Sequence, residues 1–473
     1  MTASIIDPND DPQGFVAELV SRSKAAQEKI AEYTQEQVDD LIRAMVWSVA
    51  QPGVAEEIAK FTVDETQLGN YEGKFLKIQR KTRATLADII HDKSVGVIEE
   101  LPERNIKIIA KPLGVIGALA PSTNPEATPV IKAIHAVKGR NSIIIAPHPR
   151  AKLTNKKICD LMRAALKKMG APEDLVIGIE TPSLDTTNEL MRQCDRVLAT
   201  GGGAMVTAAY SSGTPALGVG VGNAVITVDS TADLDTAAEK IRLSKTLDLA
   251  ASCSSDNSVI LVDGIYEDML GKLQEKGGFV CSEEEKAKLR AALWDDELHI
   301  NTAMVAQPAD RIAAMAGITP PEGTQFFIVL EDGWGPEHPF SGEKLSVIMA
   351  LYRARDIDHA IDLTRNIQAY QGQGHSCGIY STSDDNIMKL AHHTRTSRVM
   401  VNQPQAASNS GNLWNGMRQT FSLGCGSWGG NGTNNNISWR DLINETWVSM
   451  PLVEEKTLPP DNELFGSIPD ALG

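Results

Sequence analysis

Apolar residues recur at helical spacing in the first part of the chain. Between residues 13 and 48 they stand mostly three or four positions apart, with polar residues between them. This period places them on one face of a helix and predicts amphipathic helices that pack on the body of the protein. The residues on that face are Phe15, Leu19, Ala26, Ile30, Val38, Leu41, Ile42 and Met45.

From about residue 106 the pattern changes to short apolar runs without alternation, separated by helical stretches of roughly 10 to 18 residues. Strands of this kind are buried on both faces, as in a parallel sheet that is covered by helices. The first half of the chain is therefore predicted to be a doubly wound α/β domain. The predicted strands lie in IKIIAKPLGVIGALAP (with a turn at Pro112 and Gly114), NSIIIAP, DLVIGI and RVLAT, and the predicted helices include 152–169 and 183–193.

A second α/β pattern begins near residue 230. Its predicted strands are SVILVD, FFIVLE, LSVIMALYRA and SCGIYS, with helices at 283–295 and 356–366. The following segment, 409–436, is rich in Gly and Asn and has too few apolar residues for an element of its own. We expect it to lie on the surface or to line a cleft.

Composition and charge narrow the classes of function. The chain has 473 residues, enough for two or three domains. Its formal net charge of −16, without a block of Lys or Arg, argues against a nucleic-acid or anionic-membrane surface. No stretch approaches the roughly 18 apolar residues of a spanning helix. The acidic start, MTASIIDPNDDPQGF, does not resemble a secretion signal, and we expect a cytoplasmic protein.

The six cysteines and nine histidines form no metal motif. The cysteines are scattered without C-x-x-C spacing, which also argues against a disulfide framework. We therefore predict no metal site. In a reducing compartment each thiol serves either packing or chemistry.

Cys253 has unusual neighbours. It lies in DLAASCSSDNSVIL, among small and polar residues, whereas a structural cysteine usually packs among larger apolar side chains. Small neighbours leave space above the sulfur for an electrophile, although they also suit a tightly packed helix start. These neighbours make Cys253 a candidate nucleophile.

A glycine-rich loop follows the strand RVLAT. Gly201, Gly202 and Gly203 stand between that strand and a predicted helix, where a backbone can approach a phosphate and a helix N-terminus offers N–H donors. The dinucleotide spacing G-x-G-x-x-G is incomplete because its last position is Val206. A tight turn without a ligand is the alternative.

Polar residues also follow the two preceding strands. Asn124 stands between two prolines in PSTNP, and its amide is a candidate preorganised donor, with a simple turn residue as the alternative. His148, Arg150 and Lys152 cluster after the strand NSIIIAP. Carboxyl ends of parallel strands are where such sheets bind ligands, and cationic groups there suit a phosphorylated cofactor. A solvated loop is the alternative for this cluster.

Together these motifs are similar to those of the aldehyde dehydrogenase superfamily. GPEHPFSGEKLSVIMALYRARDIDHAIDLTRN resembles the segment that carries a Glu for the nicotinamide ribose. PSTNP, PHPRAK, ATGGGAMVTAAYSSGTPALGVGVGN and GCGSWGGN look like the CoA-acylating branch, and the resemblance covers roughly residues 15–450 in order. It implies a nucleotide-binding domain at 1–230 and a catalytic domain at 231–424. Residues 425–450 would return to the first domain or form a small oligomerisation element.

The resemblance also implies the roles of single residues. Cys253 would be the nucleophile, and Asn124 with the backbone N–H of Cys253 would form the oxyanion hole. Glu343 would hold the nicotinamide ribose, with the glycines 201–203 near the same cofactor. His148 and Arg150 are the further candidates for binding NAD or NADP. Coenzyme A would be the cosubstrate.

One departure from the hydrolytic branch of the superfamily bears on the reaction. Where those enzymes carry a Glu general base in an E-L-G-G-type run, this chain has LGVGVGN, without a carboxylate. Attack by water on a thioester needs a base, whereas attack by a CoA thiolate does not. We expect an oxidoreductase that converts an aldehyde, CoA and NAD(P)+ into acyl-CoA and NAD(P)H. A glutamyl-phosphate reductase-like enzyme and a non-catalytic nucleotide-binding or assembly protein stay open.

The substrate is suggested by EYTQEQVDDLIRAMVWSV…TQLGNYEGK, which most resembles acylating enzymes for sulfoacetaldehyde. Acetaldehyde and succinate semialdehyde are the alternatives. A sulfonate needs a cationic partner, and Arg418 in the Gly/Asn-rich segment is the candidate, with a surface charge as the alternative. The resemblance further implies a homo-oligomer, either a dimer or a tetramer.

Overall fold

The computed structural model describes residues 7–468, and its N-terminal part is helical. The amphipathic stretch forms two helices, Pro12–Ile30 and Gln35–Ala50. The second helix begins at a capping box, in which the side chains of Thr34 and Gln37 each accept from the other's backbone N–H. The chain continues as Val54–Thr66, Tyr71–Leu76, a π-helical segment Lys77–Thr82, and Arg83–Ile89.

The first large sheet has five strands, all paired in parallel. Its two central strands are buried along their whole length, which explains why their sequences show no polar alternation. In spatial order the strands are Val176–Gly178, Ser142–Pro147, Val115–Ala120, Arg196–Thr200 and Ala216–Val219. The intervening helices are Thr128–Lys138, Lys152–Lys168, Leu184–Gln193 and Gly203–Ser211.

This sheet has a topological switch point. The chain starts at Val115–Ala120, continues to one side, and then returns to place Arg196–Thr200 on the other side of the first strand. The connections that leave these two neighbouring strands diverge, and they leave a crevice at the carboxyl ends. Asn124 and the glycines 201–203 follow these strands.

The second large sheet has seven parallel strands. Their spatial order is Gly278–Val280, Phe326–Leu330, Ile348–Ala354, Asp256–Val262, Ala224–Val228, Cys377–Tyr380 and Val399–Val401. Its longer helices are Leu234–Thr246, Tyr266–Glu275, Glu283–Leu293, Ala309–Ala316, Ile357–Tyr370 and Asp384–His393. Because the second sheet includes Ala224–Val228, the change between sheets comes before this strand and not at the predicted residue 230.

A small antiparallel sheet connects distant parts of the chain. Ile106–Pro112 pairs with Gly96–Leu101 on one side and with Ile443–Ser449 on the other. The segment 425–450 therefore returns to a strand that directly precedes the first large sheet. Whether this small sheet is an oligomerisation element stays a prediction.

The predicted mixed α/β fold with a doubly wound sheet is confirmed. Separate hydrophobic clusters cover the two large sheets, so each half of the molecule has its own core. Within residues 7–468 we find no helix with the length and apolar character needed to cross a membrane.

Candidate active site

A cavity of about 630 Å³ lies between the two large sheets. One wall is formed by loops that follow strands of the first sheet, and these loops include Asn124, His148 and Gly201. The facing wall is formed by residues that precede strands of the second sheet, among them Cys253 and Glu343. Carboxyl ends of one parallel sheet thus face amino ends of the other across the cavity.

Cys253 differs from the other cysteines of the chain in its exposure. Its side chain reaches the cavity and is half-buried, whereas Cys159, Cys194, Cys281, Cys377 and Cys425 are all buried. Gly222 makes this approach possible, because a Cβ atom at that position would lie 2.2 Å from the backbone oxygen of Cys253. The tertiary structure therefore singles out the cysteine that the sequence window indicated.

His375 contacts Cys253, and the sequence analysis did not single it out. Its Nε2 lies 3.3 Å from the Cys253 Sγ, and its Nδ1 lies 2.9 Å from the Ser376 Oγ. His375 directly precedes the strand Cys377–Tyr380, as Cys253 closely precedes Asp256–Val262. The polar run QGQGHS before an apolar strand was an available signal, but the partner is 122 residues away in the sequence.

Burial shifts the pKa values of this pair in opposite directions. It raises the pKa of the Cys253 thiol to about 12, with a smaller contribution from the nearby Glu343 carboxyl. Burial lowers the pKa of His375 to about 3, and the charge of Arg398 adds to this effect. At neutral pH the pair is a neutral thiol beside a neutral imidazole, which has a free lone pair to accept a proton.

We expect alkylation of Cys253 in the free protein to be slow at neutral pH and to accelerate with rising pH. Only the thiolate reacts, and below the pKa of a thiol its fraction grows about tenfold per pH unit. Iodoacetamide labelling between pH 7 and 9, followed by mass spectrometry of the Cys253 peptide, measures this. A rate that levels off below pH 8 would contradict the raised pKa; peptides of the five buried cysteines serve as internal controls.

Asn124 is held by a buried lysine. The Lys77 Nζ donates to the Asn124 Oδ1 and also to the Asp248 carboxylate. Because the amide oxygen is occupied, the orientation of the Asn124 amide is defined, and its Nδ2 donates to the Thr123 Oγ1 at 3.2 Å. The amide that lines the cavity is therefore a preorganised donor and not a loose turn residue.

Asp248 links this lysine to the segment that leads into Cys253. Residues 248–250 all have positive φ values, between 49° and 64°, although none is glycine. A non-glycine residue in this region costs roughly 1–2 kcal/mol. The Asp248 carboxylate offsets the cost by accepting from the Asn70 N–H and from the ammonium groups of Lys74 and Lys77. The Glu126 carboxyl lies 3.7 Å from the Lys74 Nζ and 4.0 Å from the Lys77 Nζ, so that this buried cluster contains two carboxyl groups and two amino groups.

Most of the predicted cofactor residues line the same cavity. His148, Gly201, Gly202 and Glu343 line it, Gly203 begins the helix behind the glycine turn, and Arg150 lies outside the lining. Gly201 and Gly202 have open space where a Cβ would stand, apart from van der Waals contact with Met205. A phosphorylated group could therefore approach their backbone closely.

Glu343 has an unused oxygen. Its Oε1 is buried and has no hydrogen-bond partner within residues 7–468, while its backbone N–H donates to the Gln371 Oε1. Burial raises the pKa of Glu343 to about 8. A buried acceptor without a partner is unfavourable, and a ribose hydroxyl would satisfy it. The residues present thus fit a nicotinamide nucleotide.

Arg418 does not line the cavity. Its side chain is exposed, and its Nη1 donates to the Ser438 Oγ at 3.3 Å. Other residues of the same Gly/Asn-rich segment do reach the cavity, among them Ser410, Trp414 and Phe421. The predicted substrate-binding role of Arg418 is thus without geometric support, and it stays a prediction.

Three residues outside the cavity lie close enough together to be considered as ligands of a metal ion. Ligand atoms of Glu331, Asp332 and His338 lie within 4.8 Å of one another. The Lys286 Nζ, however, lies 3.2 Å from the Glu331 Oε1 and already supplies a positive charge. This group is not on the cavity wall, and it provides no reason for a metal in the reaction.

Comparisons with known proteins bear on the class of enzyme. Residues 9–279 match the model of the aldehyde dehydrogenase family. The chain is 44% identical to a sulfoacetaldehyde dehydrogenase of Acholeplasma sp, with 96% of this chain and 94% of the relative covered. It is 40% identical to the acylating sulfoacetaldehyde dehydrogenase of Cupriavidus necator, with 98% and 94% covered. The crystal structure of an acetylating aldehyde dehydrogenase from Geobacillus thermoglucosidasius superposes with a TM-score of 0.91 at 32% identity, covering 96% of this chain and 100% of that one.

The chain belongs to the aldehyde dehydrogenase family. The prediction of an NAD(P)-dependent, CoA-acylating oxidoreductase is confirmed at the level of this class, and the acyl-phosphate and non-catalytic alternatives are set aside. Which residues carry the reaction and which aldehyde is used are the subject of the proposals that follow.

Proposed function

We propose that the protein oxidises sulfoacetaldehyde to an acyl-CoA through a thioester on Cys253. The observation that carries this proposal is the position of the Cys253 Sγ on the cavity wall, 3.3 Å from the Nε2 of a neutral His375. The preorganised amide of Asn124 lines the same cavity. A nucleophile, a base and an oxyanion donor are the three parts that acyl transfer requires.

In the first step the Cys253 Sγ forms a bond to the carbonyl carbon of the aldehyde. The thiol proton passes to the His375 Nε2, which lies 3.3 Å from the Cys253 Sγ. The carbonyl oxygen becomes an oxyanion, which accepts hydrogen bonds from the Asn124 Nδ2 and the backbone N–H of Cys253. Lys77 keeps the Asn124 amide in place throughout this change.

Glu343, His148, Gly201 and Gly202 would hold the nicotinamide nucleotide on the wall of the same cavity. When bound, that nucleotide supplies the acceptor for the two electrons removed from the aldehyde carbon. The Glu343 Oε1 would accept from a ribose hydroxyl, which satisfies its unpaired lone pair. Oxidation of the covalent adduct leaves the acyl group on Cys253 as a thioester.

The acyl group then passes to coenzyme A. The CoA sulfur forms a bond to the acyl carbon, the bond to the Cys253 Sγ breaks, and the Cys253 thiolate regains a proton. Asn124 stabilises the second oxyanion as it did the first. Water competes poorly in this step, because Glu343 is the one acidic side chain on the described cavity wall and its raised pKa of about 8 leaves it mostly protonated at pH 7.

Without CoA we expect a single turnover followed by very slow release of free acid. The run LGVGVGN, whose residues 219–222 line the cavity, offers no carboxylate to activate water. Stopped-flow NAD(P)H absorbance should show a burst of about one equivalent per active site without CoA and sustained turnover with it. Mass spectrometry of the products distinguishes acyl-CoA from carboxylate. Equal rates of free carboxylate formation with and without CoA would contradict the proposal.

Sulfoacetaldehyde is proposed because both curated relatives described above are named for it and match over nearly the whole chain. Acetaldehyde and succinate semialdehyde are the competing substrates. The discriminating measurement is kcat/KM for the three aldehydes with CoA and with each pyridine nucleotide. A preference for acetaldehyde would exclude an anionic substrate.

We further propose a cytoplasmic homo-oligomer. The strand Ile443–Ser449 is an edge of the small sheet, and its residues after Ile443 are exposed. Exposed apolar side chains continue beyond it, including Trp447, Val453 and Leu458. An exposed edge strand with apolar neighbours favours pairing with another chain, and a second copy of this chain supplies a matching surface.

A further inference from the structure

Three basic residues of one short segment line the cavity. Lys77, Arg80 and Lys81 belong to the π-helical segment Lys77–Thr82, and all three line the cavity. Trp414 and Phe421 of the Gly/Asn-rich segment contact Arg80 and Lys81, respectively. We call this region the cationic arm of the cavity, defined by Lys77, Arg80, Lys81, Trp414 and Phe421.

Two of the three cations are already engaged. The ammonium group of Lys77 donates to Asn124, Asp248 and the Ala251 carbonyl oxygen. The Lys81 Nζ donates to the carbonyl oxygens of Ser410 and Gly411 and to the Gln419 Oε1. Each ammonium group has three N–H donors, and in both lysines all of them have partners.

Arg80 is different. The residue is exposed and lines the cavity, and its guanidinium makes no hydrogen bond and no ion pair with any residue of the described range 7–468. It stacks over the Trp414 ring, with the Arg80 Cζ 5.4 Å from the ring centroid. Stacking orients the plane of the guanidinium and leaves the N–H groups at its edge free. The guanidinium of Arg80 is therefore oriented by the stacking, and its N–H donors have no acceptor among the described residues.

Arg80 and Cys253 line the same cavity. Lys77 donates to Asn124 and to the carbonyl oxygen of Ala251, two residues before Cys253, and Arg80 follows Lys77 by three residues in the same π-helical segment. In sulfoacetaldehyde a single methylene separates the carbonyl carbon from the sulfonate. An anionic aldehyde with its carbonyl at Cys253 therefore has the guanidinium of Arg80 on the wall of the same cavity as a candidate partner for its sulfonate.

We infer that Arg80 is the specificity-determining residue of this enzyme and binds the sulfonate of the substrate through its guanidinium N–H groups. This inference rests on the proposed function and replaces Arg418 as the cationic partner. The guanidinium fork matches two oxygens of a sulfonate or a carboxylate, whereas acetaldehyde offers it nothing. Trp414 acts as the positioning residue, because its ring orients the guanidinium.

The experiment compares the specificity ratio, the kcat/KM for sulfoacetaldehyde divided by that for acetaldehyde, in the unmodified enzyme and in variants. A hydrogen bond between charged groups contributes to the free energy of substrate binding. We therefore expect Arg80→Gln to lower this ratio about ten- to a hundredfold, mainly by raising KM for sulfoacetaldehyde. Arg80→Lys keeps the charge but loses the fork, and should recover part of the ratio. The matched control is Arg83→Gln, since Arg83 lies on the next helix, outside the cavity, and donates to the Ala50 oxygen.

A binding measurement makes the test independent of turnover. 2-Hydroxyethanesulfonate, the alcohol analogue of the substrate, should protect Cys253 from iodoacetamide in the unmodified protein, whereas ethanol at the same concentration should not. Arg80→Gln should remove this protection without unfolding the protein, which thermal melting verifies. Protection that survives in Arg80→Gln would overturn the inference.

The failures of the inference and of the proposed function are distinguishable. If the unmodified enzyme prefers acetaldehyde, both are wrong. If it prefers sulfoacetaldehyde but Arg418→Gln lowers the ratio and Arg80→Gln does not, the function stands and the inference fails. If Arg80→Gln instead raises KM for CoA equally with every aldehyde, Arg80 binds a phosphate of CoA, and the inference is again overturned.

Discussion

Replacing Cys253 with alanine is expected to abolish aldehyde oxidation at every concentration of CoA. The variant has no sulfur on the cavity wall, so that no covalent bond to the carbonyl carbon can form, and the other five cysteines are buried. The expected loss is at least 10⁴-fold in kcat, of the order seen when a covalent nucleophile is removed. Nucleotide binding, measured by fluorescence titration, should change little, because the cofactor residues lie on other loops.

The matched control for this variant is Cys425→Ala. Cys425 is also a free thiol, but it is buried and its Sγ contacts the Leu423 oxygen at 3.6 Å. We expect Cys425→Ala to keep most of the activity, with some loss of thermal stability from the cavity it leaves. Substantial turnover in a folded Cys253→Ala protein, or complete loss in a folded Cys425→Ala protein, would refute the assignment of the nucleophile.

The second large effect concerns Asn124. We expect Asn124→Ala to lower kcat about 10²–10³-fold, or roughly 2.7–4 kcal/mol of transition-state stabilisation, as for other single oxyanion donors. The donor acts on a charge that exists only in the transition state and the adduct, so KM for the aldehyde should change much less. Steady-state kinetics with the preferred aldehyde and saturating CoA measures both.

Asn124→Asp sharpens the test because it keeps the size of the side chain but replaces the N–H donor with an acceptor. We expect a loss at least as large as in Asn124→Ala, although Lys77 can still donate to the new carboxylate. A change below about fivefold in either variant would mean that the backbone N–H of Cys253 stabilises the oxyanion without Asn124. Asn124 would then serve only to receive the Lys77 hydrogen bond.

Local sequence patterns were sufficient to predict most of the helices and strands of the fold. Continuous apolar runs such as NSIIIAP are strands buried on both faces, and Ser142–Pro147 is such a strand. The capping box at Thr34 is also readable in the sequence, and it divides the amphipathic stretch into two helices. The boundary near residue 230 was placed too late because the composition does not reveal which sheet Ala224–Val228 joins. Strand pairing is a long-range property.

The candidate site likewise combines residues that local motifs indicate with contacts between residues far apart in the sequence. Cys253, Asn124, Glu343 and the glycines 201–202 were identified from short motifs, and the structure brings them to one cavity. The contact of Cys253 with His375 spans 122 residues, and the link between Lys77 and Asp248 spans 171, so that no local window contains either pair.

The sequence by itself determined the fold class, because periodicity depends on neighbours within one segment. Its resemblance to a known family made Cys253 and Asn124 the candidates for the nucleophile and the oxyanion donor. Only the tertiary structure decided which cation reaches the cavity. Arg418 and Arg80 are both exposed and both stand near aromatic residues in the sequence, but the first donates to Ser438 outside the cavity, whereas the second lines the cavity and is stacked on Trp414. Whether a charged group is available to a ligand depends on which donors other segments already occupy, and that becomes defined only when the chain is folded.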